Sequence, residues 1–168
     1  MNLLQLLHRN YVLNIFYLDK SEKQCAEWMV DKHIVKMILE TAQMLCTTIW
    51  LSGVRTPYKK THINHPSTKW TRESVQHYRW LCKLGKELCA EYTYRYDKRH
   101  KSEDVIDWCI ENEPELEDNG FTQPPQAMPN EYKNKCSIKA YRTYYLNDKK
   151  GFLDYKKRNK PEWLNING

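Results

Sequence analysis

The chain has 168 residues and a mass of 20.3 kDa, a length that fits one domain able to bury its own core. Its composition is 40% hydrophobic, 29% charged and 12% aromatic, with five glycines and seven prolines. That excludes wholesale disorder, collagen-like repeats, coiled coil and turn-rich β-sandwiches or barrels, and the formal charge of +6 points to an acidic partner. In chain order, Met1–Val12 reads as an appendage without the basic region and small-residue cleavage site of a secretory signal. Leu13–Leu18 is a short apolar run. Ser21-Glu22-Lys23-Gln24 is a capping box that predicts a helix start, and helical periodicity continues to about Trp50 with a break near Asp31. Gly53, Pro57 and Pro66 mark a loop. A second long helix is expected from about Ser67 to Tyr96, and a short one capped by Ser102 through about Ile110. Glu111–Asn134 is an acidic loop with four prolines, and further helix is expected at about Ser137–Leu146 and Gly151–Arg158. No period-2 strand stands out. The expected class is all-α: a compact single-domain helical bundle with two long helices, spanning residues 13–168.

The longest apolar runs, such as Met37–Leu39, fall far short of the ~20 residues a membrane span needs, so no membrane partner is expected. The six cysteines form no C-x-x-C pair; they read as reduced thiols, mostly in the core, in a cytoplasmic compartment. The charge is uneven. Glu103–Asp118 holds eight acids and no Lys or Arg, so elsewhere 27 basic residues face 13 acidic ones, a net +14. An excess of that size favours nucleic acid among polyanionic partners.

Asp31–Trp50 is the most informative stretch. Ile34, Ile38, Thr41 and Leu45 recur at helical spacing, with Val35, Leu39, Ala42 and Cys46 on the adjoining face, so a wide apolar arc is expected to bury a central helix. One narrow stripe is polar: His33, Lys36, Glu40, Gln43 and Thr47, with Asp31 at its N-terminal end. Such a stripe is either an ordinary solvent face or the lining of a cleft. In a cleft, burial raises the pKa of Glu40 toward the range useful for acid–base work.

Candidate anchors for a phosphate backbone cluster in three places. Lys59, Lys60, His62 and His65 lie in the loop, Lys69 and Arg72 at the start of the second long helix, and Arg95, Lys98, Arg99 and Lys101 in a basic run interleaved with Tyr92, Tyr94 and Tyr96. The basic run has a second reading, as a helix end whose cations favour the dipole or pair with the acidic segment that follows. His62-x-x-His65 with His33 or Glu40 has the donor types of a metal site but matches no ligand-spacing signature, so no metal and no cofactor are expected. Gln123–Pro129 is an uncharged, proline-stiffened loop: a lid or wedge over the cleft, or an ordered surface crossing.

The pattern Asp31-x-His33-Ile34 followed by Glu40, D-x-H-[IL]-x(5)-E, resembles the phage-type pyrimidine dimer DNA glycosylases, the endonuclease V-like AP lyases. In that family the catalytic Glu follows the His by seven, so the resemblance implies that Glu40 is the catalytic carboxylate, with His33 and Asp31 as cleft neighbours and Lys36 as an auxiliary cation or nucleophile. It further implies a small, basic, all-α enzyme of viral type that acts on double-stranded DNA as a monomer, with a C-terminal end rich in aromatic and basic residues. Tyr141, Arg142, Tyr144, Tyr145, Tyr155, Lys156, Lys157, Arg158 and Trp163 are similar in kind. The family's nucleophile is the chain's own α-amine. Here the choices stay open: an amine exposed by a start at Leu13, Lys32 or Lys36, or water activated by Glu40. Leu39 and Gln43 stand where the family carries DNA-gripping arginines. Base excision by such a site requires an extruded base, a carboxylate beside a cationic sugar and a nucleophile at C1′. The alternatives are a non-catalytic nucleic-acid-binding protein, which needs no Glu40, and a metal-dependent nuclease using His33, Glu40, His62 and His65.

Overall fold

The computed structural model describes residues 13–148, 151 and 153–165; the segment read as an N-terminal appendage lies outside them. Six α-helices and no strand occur among the described residues, an all-α domain. Helix α1 (Glu22–Trp28) begins where the capping box predicts, with the Ser21 hydroxyl accepting from the Gln24 N–H at 3.3 Å. Met29 and Val30 then turn extended and bury completely. Carbonyls left open by that break are taken up by Arg95, whose guanidinium donates to Glu27 O at 3.0 Å and Met29 O at 2.8 Å. A helix end in the interior needs such a partner.

Helix α2 (Asp31–Leu51) is the central element. Ile34, Ile38, Thr41 and Leu45 are buried as the periodicity predicts. By length and composition α2 could cross a membrane, but two thirds of its apolar window is buried inside the domain. The apolar arc is narrower than expected. Val35 and Leu39 are 42% and 40% exposed, because the row they begin is covered only over its C-terminal half, where the Cys46 Sγ lies 3.6 Å from Cys109 Sγ.

The second long helix is in fact two. Helix α3 (Pro66–Glu73) and helix α4 (Val75–Tyr96) are separated by Ser74 in extended conformation. The Ser74 hydroxyl accepts from the N–H groups of Gln76 and Asn119, and the Val75 N–H donates to Glu117 O. The returning acidic loop thus supplies partners that a continuous helix would have supplied to itself. Helix α5 (Glu103–Glu111) follows with Ser102 at its N-cap position, but the Ser102 hydroxyl makes no capping bond and pairs with that of Tyr58 at 2.9 Å. Helices α2, α4 and α5 pack against one another, with α1 against α4 and α3 against both α2 and α4. Gly85 sits at the tightest crossing, where an added Cβ would lie 3.1 Å from Thr41 Cγ2 and 3.2 Å from Ile106.

After the acidic loop and a 3₁₀ turn (Asn130–Tyr132), helix α6 (Ser137–Asp148) buries Ala140, Tyr141, Tyr144 and Tyr145. The helix expected over 151–158 is absent over the described residues 153–158: Leu153–Tyr155 is irregular and a turn follows. Its backbone bonds go to the start of α2 instead. Asp31 N–H donates to Asp154 O, and both Asp31 carboxylate oxygens accept from Lys156 N–H at 2.9 and 3.1 Å. All six cysteines are free thiols, five of them buried.

Candidate active site

Glu40 is 4% exposed on the inner edge of the polar stripe. Its Oε1 accepts from the Asn14 backbone N–H at 3.1 Å, while Oε2 is buried without a hydrogen-bond partner. Burial pushes the carboxyl up to about 8; the Lys36 charge and the Asn14 N–H pull the other way and do not prevail. A buried carboxyl oxygen without a hydrogen-bond partner is costly to maintain, and groups tuned this far from their ordinary range concentrate at functional sites.

Asn14 closes the pocket through a network that sequence reading missed. Its Nδ2 donates to Ala127 O at 2.9 Å, and its Oδ1 accepts from Ile15 N–H and lies 2.7 Å from the Tyr141 hydroxyl. That hydroxyl is also 2.6 Å from Pro125 O and accepts from Ala127 N–H. The Gln123–Pro129 loop is therefore tied over the segment that covers Glu40, held further by Gln123 and Gln126 bonds to Lys135 O, Asn134 and Ser137. A lone Asn inside an apolar run, and a tyrosine more than a hundred residues away, carry no local signal of this meeting.

The other stripe residues divide. His33 is buried, stacked on Phe16 with centroids 3.9 Å apart, and its Nδ1 shares a 2.5 Å hydrogen bond with the Tyr145 hydroxyl. Lys36 is exposed one turn from Glu40. Thr47 is buried and exchanges two hydrogen bonds with Thr61, which fastens the Lys59–His62 loop to α2 two turns beyond Glu40. Asp31 lies nine residues before Glu40, about 13 Å along the axis, and is bound to Arg95 and to the Lys156 N–H. It anchors the C-terminal segment and does not face the Glu40 pocket.

Among the predicted DNA anchors, Lys59, Lys60, His62, Lys69, Lys98 and Lys101 are exposed. His65 caps α3, its Nδ1 accepting from Ser67 N–H, and Arg72 donates to Ile63 O, so these two shape the loop. Arg95 departs from expectation. It is fully buried and spends its donors on Glu91, Asp31 and the α1 carbonyls, which leaves nothing for phosphate. Arg99 is held by Glu103, Asp104 and Asp107, the pairing that its position before the acidic segment made possible. Lys86 also binds Glu103 and Asp107, and Arg79 binds Glu113. Four acids of this stretch, Glu103, Asp104, Asp107 and Glu113, are thus paired with Arg79 and Lys86 of α4 and with Arg99. Of the aromatic and basic C-terminal residues, Tyr141, Tyr144 and Tyr145 are buried, Arg142, Tyr155, Arg158 and Trp163 half-buried, and Lys156 and Lys157 exposed. Arg158 is bound to Glu91, and burial of that carboxylate is outweighed by Arg158 and Arg95, which hold its pKa down.

No group of three His, Cys, Asp or Glu side chains that could hold a metal ion occurs among the described residues. A polar cavity between α1 and the C-terminal segment is lined by Gln24, Glu27, Trp28, Lys157, Arg158 and Asn159, and none of the predicted catalytic residues borders it.

A family model described as pyrimidine dimer DNA glycosylase matches residues 13–104, more than half of the chain. The matched span begins at the residue before Asn14 and contains Glu40 and every predicted DNA anchor; it leaves out the whole acidic loop and the C-terminal aromatic segment. No curated protein and no solved structure matches the chain.

Proposed function

The chain belongs to the pyrimidine dimer DNA glycosylase family, and from that premise we propose that it excises a dimeric or otherwise modified pyrimidine from double-stranded DNA with Glu40 as the catalytic carboxyl. The observation that carries this reading is the buried Glu40, raised to about 8, hydrogen-bonded by the Asn14 nitrogen and left with one unpartnered oxygen. Such a carboxyl exchanges a proton near neutral pH. Protonated, it can protonate the departing base or sugar oxygen; ionised, it faces the cationic sugar. His33 and Tyr145 orient the start of α2 beneath the pocket, and Lys36 places a positive charge near the Glu40 carboxyl.

The nucleophile follows from the same contact. In a continuous chain the Asn14 nitrogen is an amide, with its lone pair delocalised into the carbonyl, and it cannot attack C1′. In a chain beginning at Asn14 it is an α-amine, facing a carboxyl able to accept its proton. Attack at C1′ then expels the base, gives a Schiff base and permits β-elimination of the 3′ phosphate, which is AP lyase chemistry. Lys59, Lys60, Lys69, Lys98 and Lys101 supply the cations that hold the backbone. The Gln123–Pro129 loop and Asn14 cover Glu40, so substrate entry involves lifting that cover.

The test compares the 168-residue protein, a chain beginning at Asn14, and Glu40→Gln in both, on ultraviolet-irradiated duplex with borohydride present. The expected result is a covalent DNA adduct with the Asn14-initiated chain, lost in Glu40→Gln. Base release without an adduct assigns the attack to water. Equal activity in the Glu40→Gln variants overturns the role of the carboxyl.

A further inference from the structure

Helix α2 shows solvent an apolar pair that a helix of this kind ordinarily hides. Val35 and Leu39 stand one turn apart on its outer face, both about two fifths exposed, and Leu39 immediately precedes Glu40 in the chain. The fold gathers cations around this pair from segments far apart in sequence. His100 Nε2 lies 3.1 Å from Val35 O, which draws the Lys98–Lys101 run against the ridge. The Tyr58–Ser102 hydroxyl pair joins the Lys59–Lys60 loop to that same run, and Thr47–Thr61 fixes the other end of the loop to α2. The neighbouring acids Glu103, Asp104 and Asp107 are spent on Arg99 and Lys86, so the frame around the ridge stays positive.

A ridge of two aliphatic side chains beside two lysine-bearing segments tethered to α2 complements a polyanion that offers apolar faces between its charges. Intact duplex offers phosphates and polar groove edges; a nucleic acid with an opened base step offers both phosphates and bare base faces. We propose that Leu39, with Val35 behind it, is an apolar wedge that enters the base stack beside the target nucleotide and holds the step open. Leu39 is a positioning residue in this role, and the inference rests on the DNA-acting reading above. Because Leu39 and Glu40 are consecutive, opening the step at Leu39 brings the extruded nucleotide's sugar to the side of α2 where the carboxyl lies. A side chain that grips phosphate would strengthen binding to any duplex; an aliphatic wedge discriminates in favour of a step already weakened by damage.

The experiment uses the full-length protein and a duplex carrying one thymine dimer with 2-aminopurine opposite it. Fluorescence reports unstacking, filter binding to undamaged duplex reports general affinity, and product formation, followed in parallel with the Asn14-initiated chain carrying the same substitutions, reports excision. Wild type and Leu39→Met are expected to raise the fluorescence, whereas Leu39→Ala loses about fivefold or more of the rise while its affinity for undamaged duplex changes by less than about twofold. A full fluorescence rise with Leu39→Ala overturns the wedge, as does no rise with wild type, or an equal loss of affinity for damaged and undamaged duplex. Stronger capture by vesicles of anionic lipid than by DNA also overturns it, since the ridge then serves a membrane surface. A Leu39-dependent rise with no product even from the Asn14-initiated chain keeps the wedge and sinks the catalytic reading. Product formed at the wild-type rate by Leu39→Ala does the reverse.

Discussion

At Glu40 a single carboxyl sets a pH dependence for the whole fold. Its ordinary value of 4.5 is raised to about 8 in the folded chain by burial, so the folded state holds this proton more tightly than the unfolded state does. The resulting stabilisation is present in full below about pH 4.5 and is lost as pH rises, until it is gone above about pH 8. Chemical denaturation of wild type and Glu40→Gln at pH 5 and pH 8.5 checks this: the wild type is expected to lose on the order of a few kcal/mol relative to the variant over that interval. A pH-independent difference would contradict it. Arg95 shows the opposite case, a buried charge fully compensated by two carboxylates and two carbonyls. In the sequence it is one cation in a basic run. Only its position on the inner face of α4, opposite the broken end of α1, makes it structural.

Among the elements, α2 and α4 decide how closely the core closes, and they meet at Gly85. With no side chain there, Thr41 and Ile106 approach the helix axis to the distance an added Cβ would fill. Gly85→Val gains side-chain volume but forces both neighbours outward, and it is expected to destabilise the fold by about 1–3 kcal/mol in thermal or denaturant unfolding. Unchanged stability would mean that α5 moves freely on α4. The capping box at Ser21, the buried row Ile34–Ile38–Thr41–Leu45 and helix α6 were legible, because each depends on neighbours within a turn or two. The break at Ser74 and the missing helix at 151–158 were not. There the backbone finds better partners at Glu117, Asn119 and Asp31 than its own helix would provide, and those residues are distant in the chain.

For the whole molecule, net charge matters less than how it is distributed. The +6 formal charge combines an acidic segment with a basic remainder, and the fold pairs Glu103, Asp104, Asp107 and Glu113 of that segment with Arg79, Lys86 and Arg99. The lysines of the Lys59–Lys60 loop and of the Lys98–Lys101 run keep their charge for a partner. Each phosphate contact contributes about 0.9 to the slope of log affinity against log salt for duplex DNA, so the Lys59→Ala/Lys60→Ala double variant is expected to lower that slope by about 2. Arg99→Ala is expected to leave it nearly unchanged, and an equal fall for Arg99→Ala would show that its carboxylate partners release it to DNA.

The sequence by itself determined the helical class, the central helix with its polar stripe, the register that singles out Glu40, and the surplus of basic charge. These depend on periodicity, spacing and composition, which are properties of the chain read in order. The tertiary structure alone decided which charges are spent and which remain: that Arg95 is interior, that Asp31 anchors the C-terminal segment, and that Val35 and Leu39 face outward on the helix to which two lysine-bearing segments are tethered. It also brought the Asn14 nitrogen to Glu40 from 26 residues away and tied the proline loop over both. The physical reason is common to all of these. Burial and pairing are set by whichever residues the folded chain places nearby, and no local pattern encodes a neighbour that arrives from elsewhere in the chain.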